Sequence, residues 1–307
     1  MPCYHPITAW YSKDRNKSGK RSLVFSPNRA EDPDRPIEVS CGQCIGCRID
    51  RSRQWAIRCI HEASLYDKNC FITLTFNDEA LKVRDNPYTV DVRDFQLFMK
   101  RLRKRFPDQK IRFFHCGEYG EKYGRPHYHA CLFNFDFEDK ELFRVANGNR
   151  LYVSETLQEL WPYGFNIIGD VTLESAAYVA RYIMKKITGD RAESHYMLVD
   201  GDTGEYLGHK KPEYITMSRR PGIAHDWYMK YQDDTMKDFL TINGKKMKIP
   251  KYYDKLLEKT RPYEFDLMKE KRVENAIQFR DNNTPERLKV REEVQQAKLE
   301  RLIRPID

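Results

Sequence analysis

The sequence contains no run of eighteen or more apolar residues and no apolar stretch near its first residue. A membrane-spanning helix needs about 20 such residues, and a signal peptide needs about 7 to 15. Neither is therefore predicted, and we expect a cytoplasmic protein with no membrane partner. Internal repeats and low-complexity tracts are also missing, so disorder is not expected.

The composition is that of a basic globular protein. Hydrophobic residues make up 40% of the 307 residues and aromatic residues 13%, which is enough for a packed core. Lys and Arg number 54 against 46 Asp and Glu, which gives a formal net charge of +8. This balance suits a polyanionic partner such as nucleic acid, although a well-solvated surface has the same balance.

Half of the eight cysteines lie near the N-terminus. Cys41, Cys44 and Cys47 follow one another at intervals of three, and Cys3 is available as a fourth ligand. Structural zinc takes four such ligands, so we expect these cysteines to bind a structural Zn²⁺. His5 is an alternative ligand, and an iron–sulfur site or plain reduced thiols are alternative interpretations. The other cysteines lie in apolar runs and are predicted core residues: Cys59, Cys70, Cys116 and Cys131.

The chain divides into four predicted parts. The first is an irregular cysteine-rich segment followed by a basic helix, the second a catalytic core, the third a β-hairpin extension and the fourth a charged helical tail. In the third part, Asn243-Gly244 between two strand-like runs predicts a hairpin. The predicted parts are residues 1–67, 68–190, 191–260 and 261–307.

The predicted core alternates strands and helices. Apolar alternation predicts strands over 70–76, 111–120, 127–135 and 165–171, and helical periodicity predicts helices over 91–106, 154–161 and 173–187. The order β, α, β, β, α, β, α around an antiparallel hairpin predicts an α+β fold. We expect a ferredoxin-like sheet covered by helices on one face.

Two histidines lie at the start of a predicted strand. Strand alternation places His127 and His129 on one face, where one ion reaches both imidazoles. Glu118 on the facing strand would complete a site of two histidines and one carboxylate, with Glu121 as the alternative carboxylate. Such a site suits Mg²⁺ or Mn²⁺, although imidazole also suits Zn²⁺ or Fe²⁺. A histidine pair of this kind also occurs on strands that bind no metal.

The helix predicted over 173–187 carries two tyrosines. Tyr178 and Tyr182 are four residues apart and lie on one helix face. Arg181 follows the first tyrosine by three residues and Lys185 follows the second by three, so each phenol has a cation one turn along. A phenol with a pKa of about 10 is only about 0.1% ionised at pH 7, so a tyrosine nucleophile needs such a neighbour. The alternative is an aromatic stripe packed in the core.

Taken in order, three segments resemble the motifs of HUH endonucleases of the replication-initiator type. They are the strand FITLT, the pair GEYG and RPHYHACLF, and the helix YVARYIMKK. The likeness is to the initiators of microviruses, which are small single-stranded DNA phages, and among them to the gokushovirus-like group. The segments CGQCIGCR and SRRPGI fit the same resemblance, whose motifs cover residues 70–190.

This resemblance implies a nickase and ligase that starts rolling-circle replication. It implies metal binding by His127, His129 and Glu118, and attack by Tyr178 or Tyr182 on single-stranded origin DNA. The products would be a 5′ phosphotyrosine link and a free 3′ hydroxyl, whose ends are later rejoined. A phosphate-binding loop of the G-x-x-x-x-G-K-[ST] type is missing. Unwinding and synthesis are therefore expected from a host helicase and polymerase in the bacterial cytoplasm.

Several basic residues are predicted to contact DNA phosphates: Arg125, Arg181, Lys186, Arg219 and Arg220. The main alternative function is a nucleic-acid-binding module without catalysis, which leaves the histidine pair and the tyrosine helix unexplained. A transposase or relaxase of the HUH class and a metallohydrolase with water as nucleophile are further alternatives. Covalent capture of DNA separates all of them from the predicted initiator.

Overall fold

The computed structural model describes residues 3–17, 19–120, 123–187, 189, 191–200 and 203–301, without the side chains of residues 182–185 and 191. The strands are β1 (Ile7–Arg15), β2 (Arg21–Val24), β3 (Ile37–Val39), β4 (Asn69–Leu74), β5 (Arg112–Tyr119), β6 (Pro126–Phe133), β7 (Glu141–Ala146), β8 (Asn149–Val153), β9 (Asn166–Gly169), β10 (Met197–Val199), β11 (Tyr206–His209), β12 (Tyr214–Met217), β13 (Leu240–Ile242) and β14 (Lys245–Met247). The α-helices are α1 (Ile45–Ala63), α2 (Asp78–Lys82), α3 (Val92–Arg105), α4 (Glu155–Leu160), α5 (Leu173–Lys185), α6 (Arg191–Tyr196), α7 (His225–Tyr231), α8 (Lys251–Thr260), α9 (Pro262–Ile277) and α10 (Pro285–Glu300). None of the helices formed by these described residues is both long and apolar enough to cross a membrane.

The chain forms two compact units. One is built from the residues before Ser52 together with those after Glu270, and the other consists of Ser52–Glu270. The four-part division drawn from the sequence stays a prediction. The larger unit contains every residue predicted to take part in catalysis.

The smaller unit contains an antiparallel sheet in the order β2-β1-β3. Ala9 on the central strand is fully buried, and Nε1 of Trp10 donates to the carbonyl of Pro33 at 2.9 Å. The prediction of an irregular segment over residues 1–47 is therefore wrong. Most side chains of these strands are exposed, so the sequence carries little of the apolar alternation by which strands are recognised.

Within the described residues, the larger unit is organised around a sheet of seven strands in the order β12-β5-β6-β4-β9-β8-β7. Every neighbouring pair is antiparallel. The predicted order of strands and helices is present as β4, α3, β5, β6, α4, β9 and α5, which confirms the α+β fold with a central antiparallel sheet. The hairpin β7–β8 and the edge strand β12 were not predicted.

Helices cover both faces of this sheet. On one face, Ile57 of α1 and Val179 of α5 belong to the same buried cluster as Phe114 of β5. On the other face, Phe98 of α3 packs in a second cluster with Leu132 of β6 and with residues of α4. The prediction of helices on one face is therefore wrong. Strands β4, β5 and β6 are buried on both sides, so their side chains contribute to both clusters.

Capping residues fix where the helices begin. Thr172 and Ser175 form a reciprocal capping box at the start of α5, in which each hydroxyl accepts from the other residue's backbone N–H, at 3.1 Å and 2.8 Å. Asp91 and Ser154 cap α3 and α4 in the usual way, each accepting from a backbone N–H of the first turn. Because the start of α5 is fixed, the helix face that turns toward the sheet is fixed as well.

The predicted hairpins and tail helices of the C-terminal third are present. Asn243 and Gly244 have φ angles of 49° and 74°, and two successive positive values are what a two-residue hairpin turn requires. This turn joins β13 to β14. Thr284 accepts from the backbone N–H of Arg287 and begins α10, and Pro285 occupies its first turn.

A buried ion pair holds the larger unit together where α1, β5 and the loop before α7 meet. Glu62 accepts from Nε of Arg112 and from the backbone N–H of Ala224. Nη2 of Arg112 also donates to the carbonyl of Pro221 at 3.0 Å. The two charged side chains are only 6% and 2% exposed, so each charge depends on the other for compensation.

We expect Arg112→Met to lower the free energy of unfolding of the larger unit by about 3–5 kcal/mol, because it leaves the Glu62 carboxylate buried without its cation. Arg105→Met is the matched control. Arg105 pairs with Glu159 at 3.1 Å on the surface, where both side chains are about half exposed, and its loss should cost about 0–1 kcal/mol. Urea denaturation followed by tryptophan fluorescence measures both values, and equal losses would contradict the prediction.

Candidate active site

The predicted carboxylate and imidazoles meet on two adjacent strands. The antiparallel register of β5 and β6 pairs Glu118 with His127 and Cys116 with His129. The three predicted ligands therefore point to one face of the sheet, the face that α1 and α5 cover. Nε2 of His129 lies 2.9 Å from Oε1 of Glu118, and both side chains are almost completely buried.

His129 is also held through its second ring nitrogen. Nδ1 lies 2.9 Å from the hydroxyl of Thr73, which the register of β4 and β6 places directly opposite. The ring of Phe71 stacks on the imidazole, with centroids 5.9 Å apart and an interplanar angle of 12°. These contacts fix the ring so that Nε2 faces Glu118, an arrangement common for histidines that bind metals. Phe71 and Thr73 were not predicted to take part in the site, although alternation in FITLT places both on one face of the strand.

His127 packs against the turn between the two strands. A Cβ atom at Gly120 would lie 2.7 Å from Cε1 of the imidazole, so a side chain there would displace the ring from its present position. The ring centroids of His127 and His129 are 6.5 Å apart, and the planes are inclined by 71°. The second glycine of the GEYG motif therefore makes room for one of the predicted ligands. Glu121, the alternative carboxylate, lies outside the described residues.

The donor set of Glu118, His127 and His129 fits a divalent cation. Metal–ligand bonds of about 2.1 Å place neighbouring ligand atoms about 3 Å apart, and Glu118 and His129 have this separation. The three ligand atoms do not all lie within 4.8 Å of one another among the described residues. The side chain of His127 therefore has to turn toward Glu118 and His129 before all three residues can bind one ion. Two imidazoles and one carboxylate leave positions open for substrate oxygens.

Tyr178 projects from α5 onto this surface. Its ring meets His129 edge to face, with centroids 5.1 Å apart, and lies 6.4 Å from the ring of Phe71. The guanidinium carbon of Arg181 is 5.6 Å from the centroid of the same phenol ring. Only 7% of Tyr178 is exposed, and its side chain belongs to the same buried cluster as Val179 and Phe114. The side chains of the two other predicted catalytic residues, Tyr182 and Lys185, lie outside the described part of the chain.

The remaining predicted cations occupy two regions. Arg125 lies before β6 and donates to Asp78 at 2.5 Å, and Lys186 follows α5 directly and is exposed. Arg219 and Arg220 are exposed and follow β12. Because β12 runs antiparallel to β5, they lie beyond the end of β5 that is opposite to the candidate site. Arg125 and Lys186 thus adjoin β6 and α5, which carry residues of the candidate site. Arg219 and Arg220 lie away from it.

The four predicted zinc ligands meet in the smaller unit. Sγ of Cys41 lies 3.8 Å from that of Cys3 and 4.0 Å from that of Cys47, and with Cys44 all four sulfurs lie within 4.8 Å of one another. Zn–S bonds of about 2.3 Å in a tetrahedron give sulfur–sulfur distances of about 3.8 Å. All four thiols are free, so the arrangement can hold a metal ion such as zinc.

Within the cysteine cluster, burial raises the pKa of Cys3 and Cys47, whereas the pKa of Cys44 is lowered. Burial raises the pKa of Cys44, but hydrogen bonds from the backbone N–H groups of Tyr4 and Cys47 outweigh burial and lower the pKa to about 7. The thiolate, which is the form that binds metals, is thereby favoured. His5, the alternative ligand, instead places its Nε2 2.7 Å from the carboxylate of Glu292.

Comparison with known proteins gives consistent matches. Residues 69–187 match the family described as Replication-associated protein ORF2/G2P. The chain is 33% identical to Replication-associated protein VP4 of Bdellovibrio phage phiMH2K over 272 residues, which cover 85% of this chain and 79% of the relative. It is 35% identical to Replication-associated protein ORF2 of Spiroplasma virus 4 over 252 residues, 78% of this chain and 74% of the relative. No solved structure gives a significant match.

We expect Thr73→Val to weaken Mn²⁺ binding about 10- to 100-fold, because the imidazole of His129 loses the hydroxyl that orients it. Thr75→Val is the matched control, since the Thr75 hydroxyl donates to the carbonyl of Phe165 at 2.6 Å instead. Isothermal titration with Mn²⁺ measures both affinities. An unchanged affinity in Thr73→Val would show that the hydroxyl does not orient the ligand.

Proposed function

Because this chain belongs to the replication-associated proteins of microvirus-type phages, we propose that it starts rolling-circle replication by nicking single-stranded origin DNA. The family itself supports a role in replication initiation. The nicking step is supported by one observation above all. Tyr178 contacts His129, and His129 bonds Glu118, so a phenol lies beside a set of side chains suited to a divalent cation.

In the proposed reaction, the phenol oxygen of Tyr178 or Tyr182 attacks the phosphorus of the scissile phosphodiester. The bond from phosphorus to the 3′ oxygen breaks as the tyrosine–phosphorus bond forms. The phenol proton leaves the tyrosine, and the departing 3′ oxygen gains a proton and becomes a hydroxyl. Arg181, whose guanidinium carbon lies 5.6 Å from the centroid of the Tyr178 ring, supplies the positive charge beside this proposed nucleophile.

Glu118, His127 and His129 are the residues proposed to hold a divalent cation, Mg²⁺ or Mn²⁺. When bound, such an ion neutralises charge on the phosphate and orients it for attack. Thr73 and Phe71 hold the His129 imidazole in place before the substrate arrives, so little reorganisation is needed during the reaction. Lys185, Lys186 and Arg125 are proposed to bind neighbouring phosphates of the strand.

The proposed covalent link also explains how the ends are rejoined. A phosphotyrosine ester conserves the energy of the broken phosphodiester bond, so attack by a 3′ hydroxyl reverses the reaction without ATP. Tyr178 and Tyr182 both belong to α5. One tyrosine can therefore hold the old 5′ end while the other cuts the regenerated origin. A host helicase and polymerase are proposed to unwind and copy the circle between these two steps.

The Tyr178→Phe, Tyr182→Phe double variant is expected to form no covalent adduct, because both proposed nucleophiles are lost. The protein is incubated with Mn²⁺ and labelled single-stranded oligonucleotides from the phage origin, and denaturing gels show whether label stays attached to protein. His127→Ala should lose cleavage and metal dependence together. Tyr163→Phe is the control, since this partly exposed tyrosine packs on Trp161 away from α5, and it should form the adduct normally.

The same experiment separates the alternative functions. An adduct that survives the double phenylalanine change would reject the tyrosine assignment. Cleavage without an adduct would favour a metallohydrolase that uses water, and binding without cleavage would favour a non-catalytic nucleic-acid-binding module. An adduct formed only on transposon ends or on a conjugative transfer origin would favour an HUH transposase or relaxase.

We also propose that Cys3, Cys41, Cys44 and Cys47 bind a structural Zn²⁺, as their mutual distances support. Cys44→Ala is expected to lower the zinc content from about one ion per chain to well below half, and to lower the unfolding temperature of the smaller unit. Cys70→Ala is the control, because Cys70 is buried in β4 of the other unit. Metal analysis by mass spectrometry measures the content, and full occupancy in Cys44→Ala would refute the site.

A further inference from the structure

A pocket lies beside the candidate active site, on the same face of the central sheet. Its volume is about 430 Å³, within the range of about 300–1,000 Å³ found for small-ligand sites. The floor consists of Phe71 on β4, Gly169 on β9 and Leu151 on β8. The ring of Phe71 also contacts His129 and Tyr178, so the pocket begins where the proposed reaction takes place.

The walls of this pocket are polar and carry charges of both signs. Arg144, Asn149 and Arg150 come from the hairpin β7–β8, while Asp170 and Glu174 come from the start of α5. The guanidinium and amide N–H groups donate hydrogen bonds, and the carboxylates accept them. Two arginines and two acidic residues leave no net charge in this set. A neutral ligand with both donors and acceptors therefore fits better than an isolated phosphate.

Gly169 provides the open space on the floor. A Cβ atom there would lie 3.8 Å from Cδ1 of Phe71 and 3.9 Å from Cδ2 of Leu151, which are ordinary contact distances. The surrounding side chains would therefore tolerate a Cβ atom there. Glycine weakens a strand, and inside a strand it often marks a position that a ligand approaches closely. Since packing does not require a glycine at position 169, access for a ligand would explain why a side chain is missing there.

We propose that this pocket, which we call the hairpin pocket (Phe71, Arg144, Asn149, Arg150, Leu151, Gly169, Asp170 and Glu174), holds one base of the single-stranded DNA substrate next to the scissile phosphate. A base has apolar faces and an edge of donors and acceptors, which match the apolar floor and the polar walls. In a single strand, a base is free to turn out and enter a pocket in the protein. The inference rests on the proposed function, because it takes DNA as the substrate.

The test compares two single-stranded probes of twenty nucleotides, one with a random base sequence and one with abasic sugars throughout. Fluorescence anisotropy gives the affinity for each, and the ratio of the two affinities measures how much the bases contribute. Gly169→Val fills the floor and is expected to lower this ratio about 5- to 100-fold, the range of one base's contribution to single-strand binding. Gly169→Ala adds only one methyl group at contact distance and should have a much smaller effect.

The fold is checked by thermal unfolding, in which Gly169→Val should unfold no earlier than the wild-type chain because β-branched residues suit strands. Should it fail to fold, Arg150→Met replaces it, since this change removes a wall donor without filling the floor, and a lowered ratio is again expected. An unchanged affinity ratio in the folded variants would overturn the proposal that the hairpin pocket holds a base.

The binding measurement involves no cleavage, so it distinguishes the two proposals. A lowered ratio in a protein that forms no covalent adduct would keep the pocket and reject the nicking function. An adduct together with an unchanged ratio would reject the pocket and keep the nicking function.

Discussion

The chain of contacts from Thr73 through His129 to Glu118 is the interaction on which the candidate active site depends. It crosses the neighbouring strands β4, β6 and β5, so backbone register determines its geometry. A slip of one residue would move a member of this chain to the opposite face of the sheet. Helices packed on both faces oppose such a slip, because every buried side chain of the strand would have to move as well.

The parts of the fold that follow from local sequence were predictable. The period of α5 and its cap at Thr172 place Tyr178 on a defined helix face, and the antiparallel hairpin of β5 and β6 pairs Glu118 with His127. The strand β7 was not predictable, because nearly all its side chains are exposed and no alternation marks it. The pairing of β12 with β5 joins residues about a hundred positions apart, and no short motif encodes such a contact.

The cysteine cluster of the smaller unit also combines features that local sequence encodes with contacts between distant residues. The spacing of Cys41, Cys44 and Cys47 is local and indicates a metal site directly. Cys3 precedes Cys41 by 38 residues, and the three strands of the small sheet lie between them in the chain. These strands are largely exposed and were not predicted from the sequence. The hairpin pocket likewise draws its lining from β4, β7, β8, β9 and the region around the start of α5, which only the folded sheet brings together. The candidate residues of the cysteine cluster could therefore be named from the sequence, whereas the contacts that bring them together and the lining of the hairpin pocket could not.

The burial of Tyr178 has a consequence for the lifetime of the proposed DNA–protein bond. An ester formed on a phenol that is only 7% exposed is shielded from bulk water, so hydrolysis would compete poorly with return of the DNA end. Copying a whole genome takes far longer than breaking one bond. A sheltered ester would let a single molecule keep hold of the displaced strand until the polymerase has completed the circle.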